Sequence, residues 1–117
     1  MSVFEKEVKR TLKDMGVAPN VRGYEYLTHA LCMVLEQHDK VHKITQCIYP
    51  DVAAKCNTTP GRVERACRHA IEISFAIVPH EKIQEVFGNT VGNYRPAVSL
   101  YLAAVAEYIA DGGTENA

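Results

Sequence analysis

The sequence predicts an all-α domain of about six helices built on a helix-turn-helix. Three observations predict it. Apolar residues keep a helical period along the whole chain, and no alternating run of strand type occurs. Between residues 50 and 77 a short amphipathic stretch and a longer one flank Asn57-Thr58-Thr59-Pro60. Asn tolerates a left-handed backbone, Thr caps a helix start and Pro suits the first helical position, so these four residues end one helix and open another. The longer stretch then places Val63, Ala66, Cys67, Ala70, Ile71, Ser74 and Ile77 on one face, at the i, i+3, i+4, i+7 spacing. At about 100° per residue, Arg65, Arg68 and Glu72 centre the opposite face, with Arg62 and His69 beside them.

Taken in order, residues 2–15 form a first helix, capped by Ser2, with Val8, Leu12 and Met15 inward and Gly16 at the terminating position. Glu5 and Lys9 are placed for an i, i+4 ion pair. Residues 17–22, with Pro19 among them, are a loop. Residues 23–40 form the core helix, on the stripe Leu27, Ala30, Leu31, Val34 and Leu35, with Tyr24 and Tyr26 packing at the core edge. Residues 41–49 read two ways. Ile44, Cys47 and Ile48 have helical spacing, but Pro50 lacks an N–H, so the scaffold helix either begins near Lys43 and bends or begins at Pro50. Val52, Ala53 and Cys56 then point one way, Ala53 being the small residue that a steep helix crossing needs. After Val78-Pro79, residues 81–87 make a short helix ended by Gly88, with Ile83, Val86 and Phe87 inward and Glu81, Lys82, Gln84 and Glu85 outward. Residues 89–95 are a polar loop. Residues 96–110 form a last helix with Val98, Leu102, Val105 and Ile109 inward, and 111–117 are a loose tail.

The 117 residues, 47% of them hydrophobic, suit one domain with one core. No apolar run approaches membrane-spanning length and no charged-then-apolar leader is present, so the chain reads as cytoplasmic. The four cysteines, Cys32, Cys47, Cys56 and Cys67, make no C-x-x-C pair and, in apolar helical surroundings, read as buried reduced thiols. His38 and His42 stand at i, i+4, yet no second ligand pair lies at zinc-finger spacing, so no metal is expected. No cofactor and no catalysis are expected either: a phosphate-cradling Gly-rich loop, G-x-S-x-G and H-E-x-x-H are all missing.

The net charge is −1, but its distribution is uneven. Residues 40–69 hold Lys40, Lys43, Lys55, Arg62, Arg65 and Arg68 against Asp51 and Glu64, a surplus of four positive charges. Concentrated on the helix-turn-helix, that charge is the footprint a duplex needs. The expected DNA-binding residues are Thr58, Thr59, Arg62, Glu64, Arg65, Arg68 and His69. Thr58 and Thr59, with the first N–H groups of the second helix, would hold a phosphate. Arg65, at the centre of the exposed side, would read guanine. Glu64 would accept from cytosine or hold Arg68 at i+4, Arg62 would meet phosphate, and His69 lies beside them. The competing explanations are a helical hairpin whose arginines merely solvate its outer face, Arg68 pairing with Glu64 and Glu72, and a protein-interaction module whose basic helix meets an acidic partner. A steep salt dependence on duplex DNA separates the two functions.

NTTPGRVERACRHAIE, with IYPDVAAK before it and FGNTV after it, resembles the DNA-binding effector domain of the master sporulation response regulator of endospore-forming bacteria. With the early GYEYL, the resemblance covers roughly residues 14–110. It implies control of genes at entry into sporulation, activating some and repressing others, through TGTCGAA-like elements often set in tandem. It also implies binding as a homodimer or in tandem and contact with the σ subunit of RNA polymerase through residues 79–91, which makes Glu81, Lys82, Gln84 and Glu85 the candidates. Family members normally carry a receiver domain ahead of this one, and the present sequence holds none. Two departures stand out. Pro60-Gly61 replaces small or hydroxyl residues, which removes one expected phosphate contact. Ala54 and Ile77 stand where basic residues occur, which weakens the local positive field.

Overall fold

The helix that most of the domain is wrapped around is α2, Arg22–Glu36. Its Leu27, Ala30, Leu31, Val34 and Leu35 are buried, as expected, but so are Tyr24, Tyr26, Thr28 and Met33, so it has little solvent face left. A helix apolar almost all round must be covered on several sides. Here α1 (Glu5–Asp14), α4 (Pro60–Ile77) and α6 (Val98–Ala110) cover it, while α3 (Tyr49–Lys55) packs mainly on α4 and α5 (His80–Phe87) on α6. The computed structural model describes residues 2–89, 91 and 94–112, and among these there are six α-helices and no strand.

The helix ends show the local chemistry. The Ser2 hydroxyl accepts the Phe4 N–H at 3.2 Å ahead of α1, and Glu5 pairs with Lys9 at 3.0 Å. After α1, Gly16 takes φ +84° and the Val17 N–H reaches back to the Leu12 carbonyl at 2.9 Å, one arm of a Schellman closure. Gly88, at φ +62° and ψ −136°, ends α5 in an extended positive-φ conformation that suits glycine. In α6 the expected Val98, Leu102, Val105 and Ile109 are buried, joined by Tyr101, which is fully enclosed beside Ser74. The fully buried Ser74 hydroxyl, in the last turn of α4, donates to the Met15 carbonyl just after α1.

Three helix boundaries differ from the expectation by two residues or more, the first being the start of α1, which lies at Glu5 with Phe4 as its N-cap and no side-chain cap, rather than directly after Ser2. The core helix stops at Glu36 rather than 40 because Gln37, His38 and Asp39 offer no apolar face to bury; the chain turns instead through a 3₁₀ segment, His38–His42. A π turn, Ile44–Ile48, then runs straight into α3, which favours the bent scaffold helix over a start at Pro50. Pro50 cannot donate to the carbonyl four residues back and its ring would strike it. The wide turn, in which the Ile48 N–H bonds the Lys43 carbonyl at 3.3 Å, makes the room. The last helix begins at Val98, two residues after Pro96. Of the polar loop at 89–95, Thr90, Gly92 and Asn93 lie outside the described residues, as do 113–117 of the tail.

Candidate nucleic-acid interface

The turn between α3 and α4 is built as its residues dictate. Asn57 sits at φ 55°, and among the described residues it is the one non-glycine with positive φ. Around it the Cys56 N–H bonds the Val52 carbonyl and the Thr58 N–H bonds the Ala53 carbonyl, both at 2.9 Å, closing α3. Thr59 is the N-cap of α4, its hydroxyl accepting the Arg62 N–H at 3.3 Å, and Pro60 takes the first helical position. Val52, Ala53, Val63 and Cys67 are buried between the two helices.

With that seam inward, Arg62, Arg65, Arg68, His69 and Glu72 all lie exposed on the outer face of α4. Glu64 is half-buried and its carboxylate stands 3.6 Å from the Arg68 guanidinium. Glu72, weighed as a second partner for Arg68, instead meets Arg95 at 3.2 Å. These are exposed pairs worth a few tenths of a kcal/mol, so they orient Arg68 without consuming it. Ile77 departs from the expected inward face. It is 65% exposed and lies over Gly16, because the end of α4 runs past the core. Ala54 is exposed as well.

The anion-binding capacity at the start of α4 is narrower than Thr58 and Thr59 suggested. The Thr58 N–H is taken by α3, Pro60 has none, the Arg62 N–H is held by Thr59, and the Val63 N–H closes onto the Thr59 carbonyl at 3.0 Å. Among the described residues, Gly61 is the first-turn donor without an acceptor. In compensation, a cleft of about 360 Å³ joins Thr58, Arg62 and Arg65 to Arg22 and Tyr26 of α2. Arg22 was missed by the sequence reading. Its signal is the next residue: Gly23 lets α2 cross α4 so closely that a Cβ there would lie 2.4 Å from the Ala66 carbonyl oxygen. A glycine in an otherwise helical stretch marks a close approach.

On α5, Glu81 and Glu85 are exposed and Gln84 is half-buried. Lys82 does not point outward as expected. Its ammonium lies 5.4 Å over the Tyr108 ring of α6, 3.3 Å from that residue's hydroxyl and 3.4 Å from the Glu85 carboxylate. A long aliphatic stem covers an aromatic face well while its charge keeps partners. Burial works against the Lys82 charge, but the Tyr108 hydroxyl and Glu85 outweigh it and hold the ammonium above its ordinary pKa. The Tyr108 hydroxyl in turn donates to Glu85 and holds that carboxyl below its ordinary value.

All four cysteines are free thiols, but only Cys32 and Cys67 are buried as expected; Cys47 and Cys56, near the ends of their short helices, are half-buried. Burial pushes Cys67 up to about 12. His38 and His42 are exposed in the 3₁₀ segment, where four residues overshoot a full turn by about 120°, so the pair does not share a face. The metal-ligand types that do converge among the described residues are Glu25, His29 and Cys56.

A short helix, a left-handed turn and a capped helix with an arginine-studded outer face define a helix-turn-helix domain of the kind that docks on duplex DNA. Residues 8–109 match the family described as sporulation initiation factor Spo0A C terminal, and the chain belongs to that family. It is therefore a DNA-binding domain of sporulation transcription regulation, the effector part of a response regulator. None of its described helices is long and apolar enough to cross a membrane.

Proposed function

We propose that the domain reads TGTCGAA-like elements in the cytoplasm by laying the N-terminal half of α4 in the major groove. One observation carries this reading: Arg62, Arg65, Arg68 and His69 share one exposed face, opposite the buried Val63, Cys67, Ala70 and Ile71. Arg65, central on that face, takes guanine, and Glu64 takes the neighbouring cytosine or steadies Arg68. Arg62, Thr58, Thr59 and the Gly61 N–H hold phosphates on the flank, with His69 at the far end of the footprint. Binding in tandem or as a homodimer, and a σ-subunit contact through Glu81, Gln84 and Glu85 with Lys82 steadying Glu85, complete the proposal. The σ-subunit contact is supported by the exposure of Glu81 and Glu85 on a helix separate from α4.

The test is fluorescence anisotropy of the domain with a TGTCGAA duplex and a scrambled one at several salt concentrations. Arg65→Ala should cost about 1–3 kcal/mol on the specific duplex and flatten preference at one guanine. Arg62→Ala should weaken all duplexes alike and lower the salt slope by about one. If Arg65→Ala weakens every duplex equally, Arg65 does not read bases. If no duplex is bound at low salt, the interaction module with an acidic partner replaces the DNA reading.

A further inference from the structure

We propose that Glu25, His29 and Cys56 bind one zinc ion that ties α2 to the turn of the helix-turn-helix. Each offers one donor atom, and the three atoms lie within 4.8 Å of one another. Glu25 Oε1 is 3.9 Å from His29 Nε2 and 3.6 Å from Cys56 Sγ. Donors held tetrahedrally on zinc at about 2.0–2.3 Å stand roughly 3.3–3.8 Å apart, so shifts of a few tenths of an ångström, or somewhat more for the third pair, complete the set. Glu25 and His29 share a face of α2 one turn apart, and Cys56 arrives from the end of α3, 31 residues beyond Glu25.

The chemistry selects the ion. A thiolate, an imidazole and a carboxylate suit zinc better than magnesium or calcium, which prefer oxygen alone. Three protein ligands leave a fourth place for water. An open cleft of about 400 Å³ lined by Arg22, Glu25, Tyr26 and Cys56 gives the ion its way in. Without metal, burial and the neighbouring Glu25 carboxylate hold the Cys56 thiol above its ordinary pKa, and the thiol proton bonds Glu25. Zinc binding forms a Zn–S bond and releases that proton to solvent, while Glu25 supplies an oxygen and His29 a ring-nitrogen lone pair. Cys56 immediately precedes the left-handed Asn57, so occupancy would stiffen the joint that sets α3 against α4. The site shares no residue with the proposed base-reading face.

Zinc affinity of the reduced chain is measured by competition with a chromophoric chelator, and cobalt(II) substitution reports thiolate ligation through its charge-transfer band. One ion per chain is expected, with the cobalt band present. Cys56→Ser, His29→Ala and Glu25→Gln should each weaken binding by about tenfold or more, while Cys47→Ser and the His38→Ala/His42→Ala pair leave it unchanged. Circular dichroism checks that each variant folds, and exposed Glu25 gives a substitution that leaves the core intact. The proposal is overturned by zinc binding that survives these three substitutions, by cobalt binding without a thiolate band, or by no binding at micromolar zinc.

Discussion

Replacing Gly23 by alanine sets two effects of opposite sign against each other. Helix propensity favours alanine by up to about 1 kcal/mol, less near a helix start. The fold opposes it: the new Cβ would stand 2.4 Å from the Ala66 carbonyl oxygen and 2.7 Å from the Ala70 Cβ. Carbon contacts settle at about 3.5–4.0 Å, so α2 and α4 must part by about 1 Å. Neither obstacle is the end of a flexible side chain that could swing away. Overpacking of this kind costs about 1–3 kcal/mol, and a 1 Å gap forfeits up to about half of the dispersion energy along the seam. The net expectation is a loss of about 2 kcal/mol. In urea denaturation followed by circular dichroism, with a slope of about 1–3 kcal/mol/M, the midpoint should fall by roughly 1 M. Gly61→Ala is the matched control, at the second position of its own helix with nothing within 4 Å of the added Cβ, and should be neutral or slightly stabilising. A Gly23→Ala midpoint equal to or above that of Gly61→Ala would refute the close-crossing argument.

Thr59→Ala should lower stability by about 1 kcal/mol by uncapping α4 and weaken specific and random duplexes alike, whereas Thr58→Ala should leave stability nearly unchanged; denaturation and anisotropy on the same samples check both. Charge reversal at Glu81 and Glu85 should leave duplex affinity intact while lowering transcription in a reconstituted assay, and unchanged transcription would remove α5 from the polymerase contact. Stability should decline on the alkaline side. The unfolded Cys67 thiol ionises near its ordinary 9.0 but the buried one only at about 12, so its contribution is complete below that ordinary value and is lost toward about 12. The slope is up to about 1.4 kcal/mol per pH unit, and Cys67→Ala should flatten this limb of a pH series of urea midpoints.

Local chemistry was legible in the sequence and long-range geometry was not. Val8, Leu12 and Met15, the α2 stripe and the inward residues of α6 follow from a 3.6-residue period, and all of them are buried. Asn57 and Thr59 act where their side chains and backbone preferences say they must. The π turn before Pro50 lay within the reading as a bend, but which turn the chain would choose depends on burying Ile48 and Tyr49 together. A helical wheel places Lys82 outward because it holds no information about Tyr108, 26 residues further on. Arg22 beside Arg62 and Cys56 beside Glu25 are likewise products of helix crossing, which residue spacing does not encode.

The bond between Ser74 and the Met15 carbonyl fixes the last turn of α4 to the end of α1, while the close crossing at Gly23 fixes α4 a second time at Ala66. Twelve residues separate Ser74 from Arg62, roughly 18 Å of helix, so with the Ser74 end alone held a tilt of only about 3° would swing Arg62 by about 1 Å. That exceeds the distance range over which a hydrogen bond to a base survives. The two holds, at Ser74 and at Ala66, oppose that tilt, and Ile77 lying over Gly16 adds a contact at the first of them. On the proposed reading of α4, that double hold is as much a condition for base contact as the arginines themselves.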